Sequence, residues 1–268
     1  MSPPTRRSFL AAAGLGALGV GFSSRPTVSL RVHVHPDDSF GWSPLTRRIT
    51  RAVHRGVEQV AFRADRRLDA TVTAEVVQGQ PVPPETVPTA SSPALVDTLE
   101  SWLRDRDAYD DGATHLYLAN EPFNRALGYG WAGGHVARDR AVAFANLGAT
   151  QFWDDEHVSA NLAVHEWLHT VLTGDEAEAV NGSRCEHDLG TVAMRELGTV
   201  VVTPLATAYA DTTVLGGETR WHGGGCYHHG QFARHDGREF TPRHWEHTWV
   251  LSEATLQATT RFIEERLL

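Results

Sequence analysis

The sequence predicts an α+β fold: a mixed β-sheet, an internal apolar helix, and a loop-rich C-terminal lobe that ends in a further helix. Three observations carry that expectation. Segments of period-two hydrophobicity alternate with two long amphipathic stretches through the first half of the chain. A helical segment follows from about Asp155 to Thr173, made apolar by Leu162, Ala163, Leu168, Val171 and Leu172. Beyond it Gly and His dominate, and no periodicity is sustained until about Ser252.

Taken in order, Val28 to His35 sets Leu30, Val32 and Val34 against polar neighbours, the alternation of a half-buried strand. From Ser43-Pro44 to about Leu68, apolar residues recur at helical spacing behind a Ser cap and a Pro whose missing N–H costs a first turn nothing. Ala70 to Val77 is β-branched and alternating, hence a second strand. A Pro-rich loop spans Gly79 to Pro93. Ser92-Pro93 opens a second amphipathic helix to about Arg106, and His115 to Ala119 forms a buried strand. Gly128 to Gly134 suits an edge strand or exposed turn, and Arg140 to Leu147 a further strand. The helix at 155–173 comes next, irregular loops are expected to about Glu246, and Ser252 caps a closing helix to Leu267.

At 268 residues the chain is long enough for one real core. Residues 1–25 are expected to be a signal segment and 26–268 one domain, a sheet-and-helix half to about 175 and a loop-rich half from about 176. There are 33 acidic residues against 24 basic ones. Such a balance disfavours nucleic acid as a partner. Every basic residue is Arg, which together with surplus acid fits a GC-rich, salt-adapted source such as an archaeal halophile. Arg6-Arg7 followed by the apolar, small-residue stretch Ala11 to Phe22 resembles a twin-arginine export signal, implying a secreted product. That stretch is short of the ~20 residues that span a bilayer, so no stable membrane span is expected. Cys185 and Cys226 are expected to form a disulfide in an oxidising compartment, contributing roughly 3 to 4 kcal/mol in the chain-entropy model.

The chemistry concentrates at His165-Glu166-Trp167-Leu168-His169, which matches H-E-x-x-H. On a helix, positions i and i+4 share a face, so both imidazoles can reach one metal ion, with Zn²⁺ the expected cofactor. Glu166 is set about 100° around the helix from His165, where a carboxylate can take a proton from a metal-activated water.

The order of elements leading to this helix resembles the N-terminal half of metzincins and related zincins, over roughly residues 28–210. The resemblance implies a zincin-like fold and a peptidase acting on peptide or protein substrates, with the segment Tyr129 to Gly134 as the edge strand that pairs with an extended substrate. Metzincins place their third ligand in H-x-x-G-x-x-H, or with Asp at the last position. Here Asp175 stands at that count, but Leu172 occupies the Gly position, where the chain must turn sharply. The alternative sites are His187, ranked first, and Glu186, both beside Cys185. Leu205 in Val202 to Ala206 is a candidate counterpart of the family's Met turn, with Met194 the sole internal Met. Tyr209, and also Tyr227, are oxyanion-stabilising candidates. The histidines His222, His228, His229, His235, His244 and His247 lack regular ligand spacing and are expected to line a solvated loop or cleft wall.

The functional expectation is therefore an exported zinc peptidase. Its alternative is a non-catalytic exported metal-binding or cell-surface protein that kept the zincin fold.

Overall fold

The computed structural model describes residues 25–86, 91–122, 127–151, 157–196, 198–206, 209–211, 220–222 and 244–268. The sequence-predicted signal segment, Cys226, Tyr227, His228, His229 and His235 therefore lie outside the described residues.

The chain forms an α+β fold around a mixed sheet. Its strands are β1 (Thr27–Pro36), β2 (Thr71–Gln78), β3 (Ala113–Ala119), β4 (Gly130–His135) and β5 (Arg140–Asn146). They are ordered β2-β1-β3-β5-β4, with β4 alone antiparallel to its neighbour. Three helices intervene before the second half: α1 (Pro44–Arg67), α2 (Ser92–Arg104) and α3 (Val158–Leu168).

Alternation along the strands divides the apolar residues between two cores. Leu30, Val32, Val34, Leu116 and Leu118 face α1 and α3, where Trp167 is fully buried. Tyr117, Val142 and Phe144 face Leu95, Leu99 and Leu103 of α2. Each large buried side chain contributes roughly 1.5 to 3 kcal/mol of transfer free energy, which fixes both layers against the sheet. Helix α1 starts where Ser43 Oγ accepts from the Thr46 N–H, with Pro44 in the first turn. Gly56 brings it close to α3, since a Cβ there would lie 3.1 Å from Val164 Cγ1.

The helix predicted over 155–173 is corrected to a shorter one, α3, followed by a separate helix just beyond the predicted span. Helix α3 ends at Leu168, and α4 (Gly174–Asn181) begins behind a capping box in which Thr173 and Glu176 exchange side-chain-to-backbone bonds. Thr170 explains the break. Its hydroxyl donates to the Trp167 carbonyl and meets the Thr114 hydroxyl of β3 at 2.7 Å, so the chain is held under the sheet instead of continuing the helix.

The irregular loops expected up to residue 246 are corrected in part as well. Beyond a 3₁₀ turn at Glu186–Leu189 come β6 (Val192–Glu196), β7 (Thr199–Val202), β8 (Tyr209–Asp211), β9 (Arg220–His222) and β10 (His244–His247). The strands β10-β7-β6 form a three-stranded sheet, and β8-β9 a two-stranded one. Gly198, at φ +89°, makes the turn between β6 and β7 that an L side chain resists. Helix α5 (Glu253–Arg266) closes the chain, its Ser252 Oγ accepting from the Thr255 N–H. Among the described residues, no helix is long and apolar enough to cross a membrane.

Candidate metal centre

Helix α3 is buried over its whole length, so its polar residues are placed by the core and not by solvent. His165 and Glu166 are 3% and 5% exposed. His169 follows as the C-cap residue, still in right-handed geometry, and its Nε2 stands 3.1 Å from His165 Nε2. Two imidazoles bound to one Zn²⁺ at ~2.0–2.1 Å per bond would hold their nitrogens a little over 3 Å apart, so this pair is already spaced for a shared ion.

His187 completes the group. After α4, Gly182 adopts a left-handed conformation (φ +79°) that ends the helix, and the turn at Glu186–Leu189 carries the chain back to α3. The His187 ring centroid lies 5.1 Å from that of His165 and 4.9 Å from that of His169. One ligand atom from each of His165, His169 and His187 falls within 4.8 Å of the others, a set able to hold a metal ion. The Cys185 sulfur lies 3.6 Å from His187 Nδ1.

Several bonds anchor this turn. Ser252 and Thr255 of the α5 cap both donate to the Leu189 carbonyl, and the Thr191 N–H donates to Thr203 Oγ1 at 2.8 Å. Gly190 packs so tightly on Leu205 and Ala206 that a Cβ would overlap their backbone. Leu205 itself is buried with φ +71°, a conformation that costs a branched side chain energy unless packing holds it.

The other third-ligand alternatives fall elsewhere. Glu186 Oε2 sits 2.5 Å from His169 Nδ1. A carboxylate there accepts the Nδ1 proton and leaves the Nε2 lone pair directed at the shared position, the usual support of a metal-bound imidazole. Asp175 is more than half exposed at the start of α4 and pairs with Arg184 at 2.9 Å and Arg266 at 3.1 Å. Tyr209 opens β8, its side chain outside the described residues. Met194 is half-buried on β6, His222 lies on β9, and His244 and His247 bound β10.

Electrostatics separate the group's members. Burial, reinforced by the neighbouring imidazoles, holds His165 well below its ordinary value and so in the neutral, ligating form. For His169 burial acts the same way, but the Glu186 carboxylate overrides it and raises the imidazole. Burial lifts the Glu166 carboxyl to about 7, against the attraction of His169. Glu166 lies under the edge strand, where Gly130 leaves room for its carboxyl group.

Sequence reasoning missed a second histidine group. His33, His35 and His115 stack on the α2 side of β1 and β3, with ring centroids 5.1 to 6.4 Å apart. The Asp110 N–H donates to His115 Nε2 at 3.0 Å, which puts the His115 proton on Nδ1, facing His35 Nε2 at 3.1 Å. His35 Nδ1 then donates to the Gln80 carbonyl at 3.1 Å. Period-two alternation had placed His33 and His35 on one face, and that was the available signal.

No protein-family model matches the chain, and no curated protein matches it. Among solved structures, metalloproteinase-II from Bacteroides fragilis is similar over 56% of this chain and 46% of its own, at 14% identity and a TM-score of 0.38. A chain from a chaperone–substrate complex is similar over 55% of this chain and 23% of its own, at 14% identity and a TM-score of 0.34. The matched part spans less than half the length of either chain.

Proposed function

We propose that this protein is an exported zinc-dependent peptidase. The observation that carries the reading is the convergence of His165, His169 and His187 within 4.8 Å, with the buried carboxyl of Glu166 beside them. The donor set fits zinc: three imidazoles, His165 kept neutral by burial and His169 backed by Glu186, leave room for a further ligand. Zinc bound there would polarise a peptide carbonyl and lower the pKa of a water toward ~7.

The chain's own residues supply the rest. His165, His169 and His187 hold the ion, and Glu166 takes the proton of the attacking water and returns it to the leaving amine. Strand β4 ends the sheet order, so its outer edge is free among the described strands to pair with an extended peptide lying over Glu166. Tyr209 is the candidate donor to the developing oxyanion, and a Cys185–Cys226 disulfide would hold the His187 turn in register. Residues 1–25 serve as the twin-arginine-type export signal.

The test joins metal analysis to a general peptide-cleavage assay on the same preparation. Stoichiometric zinc with cleavage is expected, and Glu166→Gln should keep the zinc while losing about 10²-fold or more of the activity. Undiminished turnover in Glu166→Gln, or active protein without metal, overturns the reading.

A further inference from the structure

A surface trough of about 570 Å³ lies between α1 and α5, lined by Gln59, Phe62, Arg63, Arg66, Arg67 and Leu256. None of these belongs to the metal centre. Phe62 is 64% exposed, and the Arg66 guanidinium lies 5.4 Å from its ring centre. Arg63 is engaged by Glu253 across the trough. Arg66 and Arg67 are exposed and have no carboxylate partner among the described residues.

This arrangement runs against the chain's composition. Acidic residues outnumber basic ones by 33 to 24 overall. Helix α1 reverses the ratio, carrying Arg47, Arg48, Arg51, Arg55, Arg63, Arg66 and Arg67 against only Glu58 and Asp65. A solvated helix face in so acidic a protein would find its counter-charges at home. Among the described residues Arg66 and Arg67, like Arg47, Arg51 and Arg55, have no carboxylate partner, and of these only Arg66 and Arg67 line the trough beside an exposed aromatic ring.

We infer that this trough docks an acidic peptide segment that also carries apolar side chains. Arg66 and Arg67 present planar donors to carboxylates, and Phe62 and Leu256 offer apolar surface between them. The concave shape with an apolar wall fits a peptide better than a flat anionic bilayer, which would meet Arg47, Arg51 and Arg55 along the helix as readily as Arg66. A nucleic acid carries its charge along a backbone that runs past the trough onto the remaining acidic surface, whereas a short acidic peptide stays beside Arg66 and Arg67. The inference is independent of the peptidase reading, because it needs no metal and no turnover.

The experiment is fluorescence anisotropy of a fluorescein-labelled peptide of repeating Glu-Glu-Leu, titrated with the full chain at about 0.15 M salt, where charges beyond ~8 Å are screened, its integrity checked by mass spectrometry afterwards. The combined Arg66→Glu and Arg67→Glu variant should weaken binding about tenfold or more, and Phe62→Ser severalfold. Arg47→Glu, on the same helix but outside the trough, should leave affinity within about twofold. If charge reversal lowers the melting temperature, Arg66→Gln with Arg67→Gln carries the same expectation with a smaller loss. Undiminished binding in the double variants overturns the inference, as does an equal loss in Arg47→Glu, which would mean a diffuse field. Capture by phosphatidylglycerol vesicles without peptide binding overturns it in favour of a membrane surface.

Discussion

Gly130 of the edge strand and Glu166 of the buried helix meet so closely that a single methyl group on Gly130 would overlap the Glu166 carboxyl. The two residues are fixed by different layers, Gly130 by its ladder to β5 and Glu166 by the core around α3. Gly130→Ala should therefore displace the carboxyl and leave the imidazoles in place. Turnover is expected to fall about 10²-fold with metal stoichiometry unchanged, since displacement of a reacting group by ~1 Å costs that much. Equal loss of metal and activity would show that the strand supports the ligands instead.

The three third-ligand alternatives give separable outcomes in a zinc competition titration. His187→Ala should lose the ion. Glu186→Gln should weaken binding about 10- to 100-fold, as removal of a carboxylate behind a ligating imidazole does. Asp175→Ala should leave zinc affinity within about twofold, because its carboxylate is spent on Arg184 and Arg266 at the start of α4. A large loss in Asp175→Ala beside normal binding in His187→Ala would reverse the assignment.

Acid should weaken the fold through the second histidine group. Burial lowers His35 to about 4 and His115 to about 3, from an ordinary 6.5. The unfolded chain therefore binds protons that the folded one refuses, and stability is full above about pH 6.5 and declines as pH falls toward 4. For His35 alone the change is roughly 3 kcal/mol. Urea unfolding of metal-stripped protein across that window should show the slope, and His115→Gln should reduce it. An unchanged slope would place the acid-sensitive groups elsewhere.

Close packing of α1 on α3 supplies a stability test. Gly56→Val would press its side chain on Val164 and Trp167, forcing the helices apart at a cost of about 1 to 3 kcal/mol. Thermal melts check this, and an unchanged melting temperature would mean that the interface yields freely.

Much of the first half was readable from sequence because its signals are local. Ser43 with Pro44, Pro93 in the first turn of α2 and Ser252 mark three helix starts, and alternation marks β1 and β2. The break after Leu168 was not readable from periodicity, since Val171 and Leu172 continue the apolar run and only the tertiary bond from Thr170 to Thr114 ends it. The Thr173–Glu176 capping box was a usable signal that the longer apolar pattern obscured. Strand β7 is a β-branched run, Thr199 to Val202, whose partners come from either side of it in sequence, so its pairing could not be read locally. Spacing placed His165, Glu166 and His169 on one helix. The return of His187 depends on Gly190 against Leu205 and on Leu189 against Ser252, contacts between distant segments that spacing does not encode.

Because α3 is buried from end to end while His187 rides on a short turn, the histidine group straddles two parts of the molecule that should open at different rates. Amides of α3 are expected to exchange with solvent only when the core itself comes apart, whereas the 186–190 segment is tied to it at particular points: Leu189 in the core with its carbonyl held by Ser252 and Thr255, Glu186 on His169, and Gly190 against Leu205 and Ala206. If exchange over 186–190 proves faster than over α3, the turn is the door of the site, and whatever the three imidazoles grip leaves from the His187 side at the rate of that local opening.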